Sequence, residues 1–128
     1  MKPCNISRMG STIKMFTATT ILILQEEGKL NIDDKISSYL SGDNIDKIEN
    51  ADKSTIRQMM QHSSGMFNYI QNLKFQTASL NALVREWHAD DLLKYAYNKK
   101  AHFQPNADVT YSNTNYILLG LFEVYCMN

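Results

Sequence analysis

A run of four aliphatic residues, Ile21 to Leu24, lies inside a stretch whose apolar and polar residues follow a helical pattern. We predict that this helix begins at Ser11 and ends at Glu27, because Gly28 is the residue type often found just past a helix end. Successive residues of a helix point in different directions, so the run places apolar groups all around the axis. The helix therefore needs cover on every side, and a single neighbouring layer of amphipathic helices covers only one.

The remainder of the chain also favours helices, since only 5 of its 128 residues are Gly and only 2 are Pro. Asp33 or Asp34 is expected to cap a short helix, and Ser54 to cap a helix over 55–61. Further helices are predicted over 80–87, 90–99 and 114–125, loops over 41–53 and 101–110, and an irregular lead-in over 1–10. The pattern over 66–78 is ambiguous, and 108–111 is the one short strand candidate.

Charge and cysteine content narrow the function classes. Lys and Arg number 13 and Asp and Glu number 13, so no basic excess favours nucleic acid or an anionic membrane surface. The longest aliphatic run is far shorter than the roughly 20 residues that a membrane span needs. No signal peptide is evident, and no Cys or His has the spacing of zinc ligands. We therefore expect no metal or organic cofactor, and localisation stays open.

One pair of residues at the start of the first helix could carry chemistry. Ser11 and Lys14 are three residues apart, which places both side chains on one face of a helix. A lysine in a desolvated pocket can take the proton of a serine hydroxyl, and the positive end of the helix dipole favours the resulting anion. The alternative is a serine that caps the helix and a lysine in water, and the spacing alone does not decide between them.

A second group lies near the predicted last helix. A tyrosine beside an ammonium group loses its proton more readily, so Tyr111 could act as a base or a proton relay. The amide of Asn113 could donate a hydrogen bond to a substrate carbonyl. The alternative is a buried Tyr111 followed by an asparagine that caps the helix.

Three segments, in order along the chain, connect these two groups to a known family. The first is G-S-T-I-K-M-F-T-A-T-T-I-L-I-L-Q-E-E-G-K-L-N-I-D-D-K-I-S-S-Y-L, the second is T-I-R-Q-M-M-Q-H-S-S-G-M, and the third is F-Q-P-N-A-D-V-T-Y-S-N-T-N-Y-I-L-L-G. Together they resemble the active-site segment, the "I-R-x-L-L-x-H-T-S-G" segment and the "Y-S-N" segment of the serine β-lactamase-related family. That family includes class C β-lactamases, D-alanyl-D-alanine peptidases and esterases.

The resemblance implies covalent acyl transfer. By matching positions, Ser11 would be the nucleophile and Lys14 would help to deprotonate it. Tyr111 would be the partner base that protonates the leaving group or activates water. Asn113 would orient the substrate's acyl amide, and Ser112 is interpreted as a spacer.

Other positions match the family without an implied catalytic role. His62 matches the histidine of the H-x-S-G segment and is interpreted as structural. His88 and His102 match nothing and are interpreted as a helix-boundary residue and a loop residue. Asn106 stands where the family usually has Gly, and because Asn tolerates a left-handed backbone we expect the turn to form.

The chain also departs from the family pattern. The 128 residues contain no Lys after Lys100 and no Gly after Gly120, so the family's third motif, Lys-Thr-Gly or His-x-Gly on a later strand, is absent from them. The strands that precede the active-site helix in the family are absent too. We therefore expect a mainly α chain that is the helical portion of the β-lactamase/transpeptidase-like α/β fold, with the β-sheet largely missing.

This fold class implies one partial domain over 1–128, with an active-site helix at about 11–27, a helical region over 28–110, and the Tyr-Ser-Asn motif and last helix over 111–128. The expected substrates are small molecules or peptidoglycan peptides, namely β-lactams, D-alanyl peptides or esters, with activity weakened by the missing motif. The alternative is a non-catalytic fragment or binding module. Such a module would pack its exposed apolar helix on a second copy or on a sheet-bearing partner.

Overall fold

The computed structural model describes Cys4 and residues 9 to 127, and most of the predicted amino-terminal lead-in lies outside these residues. The described residues form six α-helices: α1 (Ile13–Glu26), α2 (Asp43–Asp46), α3 (Ile56–Met60), α4 (Leu73–Asn81), α5 (Ala89–Leu93) and α6 (Asn113–Met127). Short 3-10 helices lie at Gly10–Thr12, Ile36–Ser38, Tyr69–Gln71 and Lys94–Ala96. Within the described residues the one β-type pairing is an isolated antiparallel bridge between Lys35 and Thr55. The mainly α fold class is confirmed.

The two long helices, α1 and α6, pack against each other and form the centre of the core. Ile21 of α1 and Leu118 and Phe122 of α6 are completely buried. The ring of Phe122 meets Tyr39 edge to face, with centroids 5.0 Å apart. Burying side chains of this size provides the main driving force for folding. The pairing of α1 with α6 therefore joins the two ends of the chain, and both candidate catalytic groups lie at these ends.

Helix α1 ends as the sequence predicts. Gly28 has a φ of +71°, and its amide donates to the carbonyl of Gln25 at 2.9 Å. The amide of Lys29 donates to the carbonyl of Leu24, also at 2.9 Å. These two bonds form a Schellman motif, which satisfies carbonyls that the helix end would otherwise leave unpaired.

One side of α1 lacks cover within the described residues. Ile21 and Leu24 are buried, whereas Leu22 and Ile23 are about half exposed, at 47% and 49%. The exposed apolar side chains of this helix form what we call the open face of α1: Ile13, Met15, Phe16, Leu22 and Ile23. The helix was predicted to need cover on every side, and within the described residues it has cover on one side only, from α6 and the loops that follow α1.

The predicted helix over 80–87 is wrong. Helix α4 begins earlier, after Asn72, whose side-chain oxygen accepts from the amide of Lys74 at 2.9 Å. The chain is not helical from Ala82 to His88. The apolar pattern there was misleading because Leu83 and Val84 are exposed and do not face the core.

Several smaller predictions also need correction. The predicted helix over 90–99 is α5 followed by a 3-10 turn that ends where Tyr97 becomes extended, with a ψ of 134°. The predicted loop over 41–53 contains the short helix α2. The strand candidate over 108–111 forms no strand within the described residues, and α6 begins one residue before the predicted position, at Asn113.

Two predicted helix caps are wrong. Thr55, not Ser54, caps α3 through a reciprocal capping box with Gln58. Ser54 is instead buried, and its hydroxyl makes no hydrogen bond within the described residues. Neither predicted aspartate caps the turn at Ile36–Ser38: Asp33 binds Arg57 through two hydrogen bonds of 2.6 and 2.9 Å, and Asp34 accepts from Tyr39 at 2.7 Å.

The loop after α3 holds the segment that leads into α6. The backbone of Gly65 accepts from the amide of His102 at 2.8 Å, and the carbonyl of His62 accepts from the amide of Thr110 at 3.0 Å. The buried side chain of Asn50 ties the same two segments together by donating to the carbonyls of Ser64 and Phe103, at 2.9 and 2.8 Å. These bonds fix the position of the residues just before Tyr111.

The turn at Asn106 forms as predicted. Its φ of +69° lies in the left-handed region, which Asn tolerates better than most residues. Its amide donates to the carbonyl of Ser63 at 2.7 Å. Asparagine therefore serves in this turn where the family usually has glycine.

Among the described residues, no helix combines the length and apolarity that crossing a membrane requires. Cys4 is exposed and Cys126 is half-buried, and both are free thiols.

Candidate active site

Ser11 and Lys14 lie where a 3-10 turn passes into α1. Ser11 belongs to the turn Gly10–Thr12, and no side chain caps either the turn or the helix. The ammonium group of Lys14 donates to the Ser11 hydroxyl, with Nζ 3.1 Å from Oγ. The alternative in which Ser11 caps the helix and Lys14 points into water is therefore wrong.

The Tyr111 hydroxyl meets this pair from the other end of the chain. Its oxygen lies 2.9 Å from Ser11 Oγ, a contact between residues one hundred positions apart. Lys14 Nζ also donates to Asn113 Oδ1 at 2.9 Å. The structure thus brings together Ser11, Lys14, Tyr111 and Asn113, the four candidate site residues of the sequence.

The surroundings of Tyr111 favour its ionised form. Partial burial by itself raises the pKa of the hydroxyl, but the contacts with Lys14 and Ser11 and the positive charge of Lys14 outweigh it. The net pKa of Tyr111 is lower than that of an ordinary tyrosine. Lys14 Nζ lies 5.2 Å from the centre of the Tyr111 ring and 5.7 Å from that of Tyr116, so two aromatic faces surround the ammonium group.

The amide of Asn113 has a defined orientation. Its Oδ1 faces Lys14, which can only donate, so its Nδ2 must face the other way. There Nδ2 donates to Oδ1 of Asn68 at 3.3 Å, and the same oxygen accepts from the Asn113 backbone amide at 3.1 Å. One of the two Nδ2 hydrogens remains for a substrate carbonyl. Asn113 is the first residue of α6 and not its cap, so the capping alternative is wrong.

Asn68 is a site residue that the sequence did not reveal. It is buried, and besides holding Asn113 it donates to the backbone carbonyl of Tyr111 at 3.4 Å. It lies in the segment whose pattern was ambiguous. The nearest signal was its place shortly after the H-x-S-G segment, which by itself does not indicate a partner.

His62 packs against two aromatic rings of the site, those of Tyr111 and Tyr116. Its ring centre is 4.5 Å from that of Tyr111 and 5.3 Å from that of Tyr116. Its Nδ1 accepts from the backbone amide of Ser112 at 3.3 Å, and Nδ2 of Asn115 lies at the same distance from it. Burial first, and then the charge of Lys14, lower the pKa of His62.

The other histidines lie away from these contacts. His88 occupies the residue before α5, as its interpretation as a helix-boundary residue predicted. His102 stacks on Phe67 with ring centres 5.9 Å apart, in the loop before α6. Ser112 is buried, and its hydroxyl donates to the carbonyl of Phe67 at 3.4 Å. Over the described residues, no cluster of His, Cys, Asp and Glu has the geometry to hold a metal ion.

The chemistry that this geometry supports is proton transfer from a hydroxyl beside a cation. Ser11 Oγ contacts a tyrosine whose pKa is lowered and a lysine that stabilises negative charge. A serine made nucleophilic in this way can attack a carbonyl carbon. Tyr111 is 47% exposed, so the reactive atoms are open to solvent on one side.

Known proteins are similar to this chain in both sequence and fold. The family model described as Beta-lactamase matches residues 1–124. Penicillin-binding protein 4* of Bacillus subtilis is 30% identical over 121 residues. A D-stereospecific amidohydrolase from Streptomyces sp. superimposes with a TM-score of 0.87 at 32% identity, and an octameric penicillin-binding protein homologue from Pyrococcus abyssi with 0.70 at 28%.

These matches cover nearly all of this chain but only part of each relative. The Bacillus match takes in 94% of this chain and 25% of that protein. The Streptomyces and Pyrococcus structures match 94% and 92% of this chain, and 37% and 27% of theirs. The matched helices are the helical portion of the β-lactamase/transpeptidase-like fold, without its sheet. Because the family model matches almost the whole sequence, the chain belongs to the beta-lactamase family.

Proposed function

We propose that Ser11, Lys14, Tyr111 and Asn113 form a serine acyl-transfer site. The observation that carries this proposal is the convergence of three groups from the two ends of the chain, with Tyr111 OH 2.9 Å and Lys14 Nζ 3.1 Å from Ser11 Oγ. A nucleophile within hydrogen-bond distance of its base is the arrangement that activates a hydroxyl for covalent acyl transfer, and the cation beside both favours the charged forms.

The reaction begins when Tyr111 is in its deprotonated form, which the charge of Lys14 makes easier to reach. Ser11 Oγ passes its proton to the Tyr111 oxygen and bonds to the substrate's carbonyl carbon, while the π electrons of the carbonyl move to its oxygen. Tyr111 then gives that proton to the leaving nitrogen or oxygen as the bond from the carbonyl carbon to the leaving group breaks. An ester on Ser11 remains, and water hydrolyses it through the same relay in reverse. Lys14 assists by lowering the energy of the ionised phenol.

Asn113 positions the substrate in this scheme. One hydrogen of its Nδ2 is held by Asn68, and the other can be donated to a carbonyl oxygen on the acyl side. β-Lactams, D-alanyl peptides and esters all present a reactive carbonyl, and we propose these as the substrate class. The names of the Bacillus penicillin-binding protein and the Streptomyces amidohydrolase support acylation by β-lactams and cleavage of amides.

The proposal is tested by covalent labelling. A fluorophosphonate or a labelled penicillin should add one label per chain, at Ser11, as identified by mass spectrometry of peptides. The matched control is Ser11→Ala, which removes only the hydroxyl oxygen. Equal labelling of wild type and Ser11→Ala would contradict the proposal.

The open face of α1 favours a second candidate function. Leu22, Ile23 and Phe16 of α1 are exposed, and several large apolar side chains exposed on one helix are typical of a surface that binds another protein. In this alternative the chain is a non-catalytic module that packs this face on a second copy or on a sheet-bearing partner. Measurable hydrolysis of nitrocefin or a nitrophenyl ester by a monomer would argue against it.

A further inference from the structure

We propose that His62 is a positioning residue for Tyr111, acting through Nδ1 as a hydrogen-bond acceptor. The inference rests on the proposed acyl-transfer site and extends it to a residue that the family pattern leaves without a role. The observation that carries it is the position of His62 between the end of α3 and the start of α6. There its side chain contacts Tyr111 and Ser112, and its backbone carbonyl accepts from Thr110.

The first step concerns what His62 holds. Its Nδ1 accepts from the amide of Ser112, the residue directly after Tyr111, at 3.3 Å, and lies 3.3 Å from Nδ2 of Asn115. Both of these partners are donors, so Nδ1 must carry no proton and the proton of the neutral ring is on Nε2. The acceptor thus fixes the backbone at Ser112 and, with it, the direction in which the Tyr111 side chain leaves the chain.

The second step concerns the Tyr111 ring itself. The imidazole lies against it, with ring centres 4.5 Å apart and planes inclined by 40°. On the far side of the site, the hydroxyl of the same ring reaches Ser11 Oγ at 2.9 Å. Because Tyr111 is about half exposed, the contact with His62 is one of a small set, with those of Ser11 and Lys14, that limit how far the ring can swing away.

The third step concerns the backbone of His62. Its φ of +60° is left-handed, and the other non-glycine residues with positive φ in the described part of the chain are all asparagine: Asn50, Asn98 and Asn106. Histidine, like asparagine, is one of the residue types that adopt this conformation more often than most, so the backbone here is tolerated. The carbonyl of His62 accepts from the amide of Thr110, and its Nδ1 accepts from that of Ser112. His62 therefore binds the residue before Tyr111 and the residue after it.

The charges around His62 favour the neutral ring that this role needs. Lys14 of α1 is the nearby cation, and the other titratable groups in contact are the phenols of Tyr111 and of Tyr116 on α6. No carboxylate contacts the ring among the described residues. A second positive charge beside Lys14 is unfavourable, and a proton on Nδ1 would also remove the acceptor for Ser112.

The test compares two substitutions of equal size. His62→Asn keeps an acceptor, Oδ1, at the position of Nδ1 and tolerates the left-handed backbone. His62→Leu has the same shape as Asn without the acceptor. His102→Asn removes an exposed imidazole outside the site and serves as the control. Each protein is characterised by circular dichroism, by ultraviolet titration of tyrosine against the matching Tyr111→Phe variant, and by the rate of fluorophosphonate labelling.

We expect Tyr111 in wild type, His62→Asn and His102→Asn to ionise below the ordinary tyrosine range. In folded His62→Leu we expect it to ionise near the ordinary value, and labelling to slow by about ten- to a hundredfold, since a small displacement of a catalytic group costs about this much. A folded His62→Leu that ionises and labels like wild type overturns the proposal. So does a His62→Asn that is as impaired as His62→Leu, or a wild-type Tyr111 that ionises like a free tyrosine.

A measurement on the wild type covers the case in which His62→Leu does not fold. Nitrogen-15 NMR of the imidazole distinguishes the two neutral forms, and we expect the proton on Nε2; a proton on Nδ1 at neutral pH overturns the proposal. The tyrosine titration and the tautomer need no substrate. If the wild type does not label but both results are as expected, acyl transfer fails as the function and the positioning role stands.

Discussion

The Tyr111 hydroxyl depends on side chains from three separate parts of the chain. Ser11 and Lys14 approach from the start of α1, His62 from the end of α3, and Asn68 from the segment that follows. Lys14 and Ser11 lower the pKa of the hydroxyl, while His62 and Asn68 hold its ring and its backbone. At this scale, removing one atom tests one contact.

Tyr111→Phe removes the hydroxyl and keeps the ring that packs on His62. We expect labelling of Ser11 to slow by about a hundredfold or more, because a positioned general base contributes about this much to a rate. The matched control is Tyr125→Phe, a change at an exposed tyrosine near the carboxyl end of α6, far along the helix from Asn113; it should label like wild type. Equal rates for the two variants would exclude Tyr111 as the base.

The lowered pKa of His62 has a consequence for stability. Burial, followed by the charge of Lys14, makes the folded protein resist protonation, so the unfolded chain binds this proton at a higher pH. We therefore expect the free energy of unfolding to be unaffected by His62 above the ordinary histidine pKa of about 6.5 and to fall as pH decreases below it, down to the lower folded pKa.

The measurement is urea unfolding of wild type and His62→Asn between about pH 7.5 and 5. Asparagine does not titrate, so the difference in unfolding free energy between the two proteins should shift in favour of His62→Asn as pH falls. A difference that stays constant over this range would contradict the lowered pKa.

At the scale of elements, close contacts between backbone segments position the site residues. Gly65 has a φ of +71°, and a Cβ added there would lie 2.0 Å from the carbonyl oxygen of Phe103. This approach holds the loop after α3 against the segment that leads to Tyr111. The sequence shows Gly65 only as the last residue of the H-x-S-G segment, whereas the structure shows that it is a position of close backbone packing.

Gly65→Ala should destabilise the fold by about 3 kcal/mol or more, since the added methyl group must displace backbone and the left-handed conformation also disfavours Ala. Gly28→Ala is the matched control, because Gly28 has the same φ of +71° and open space where the Cβ would stand. It should cost about 1 to 2 kcal/mol, which is the cost of the left-handed conformation alone. Chemical denaturation of the two variants measures the difference, and equal losses would show that the Phe103 contact is unimportant.

The capping box of α3 offers a second test at this scale. Thr55 accepts from the amide of Gln58 at 3.2 Å, and the Gln58 side chain accepts from the amide of Thr55 at 3.0 Å. We expect Thr55→Ala to destabilise the protein by about 1 kcal/mol. Thr55→Ser keeps the oxygen and should lose much less. Thermal unfolding distinguishes them, and a Thr55→Ser that is as unstable as Thr55→Ala would count against the cap.

At the scale of the whole molecule, the open face of α1 is an apolar surface that no other segment of the described residues covers. Apolar side chains lie on this helix both toward α6, where Ile21 is fully buried, and away from it, where Leu22 and Ile23 are half exposed. The matched region makes up only 25%, 37% and 27% of the three relatives that share these helices. In them, more chain is present to cover such a surface.

We expect the 128-residue protein to associate with itself at micromolar concentrations through this face, since burying apolar surface is favourable. Replacing Leu22 and Ile23 together by Gln should restore a monomer in analytical ultracentrifugation. Val84→Gln is the control, because Val84 is 97% exposed and lies outside α1. If the double variant associates as strongly as wild type and the control, the open face is not the contact surface.

The sequence by itself determined the mainly helical fold class and the carboxyl end of α1, whereas α1 begins at Ile13 and not at the predicted Ser11. Both correct predictions depend on local patterns: apolar spacing and a glycine at a helix end. The four candidate site residues were predicted from three ordered segments that resemble a known family. The errors over 80–87 and at Ser54 arose because apolar and capping residues occur at exposed or buried places that local patterns do not distinguish.

Only the tertiary structure decided which groups surround the reactive atoms. Asn68 and His62 reach Tyr111 through contacts between residues more than forty positions apart, and no local pattern encodes such a distance. The same holds for the two sides of α1, where a uniformly apolar run is divided into a buried half and an open half by the place where α6 packs. Residue types limit which contacts can form, and the packing of distant segments selects the ones that do.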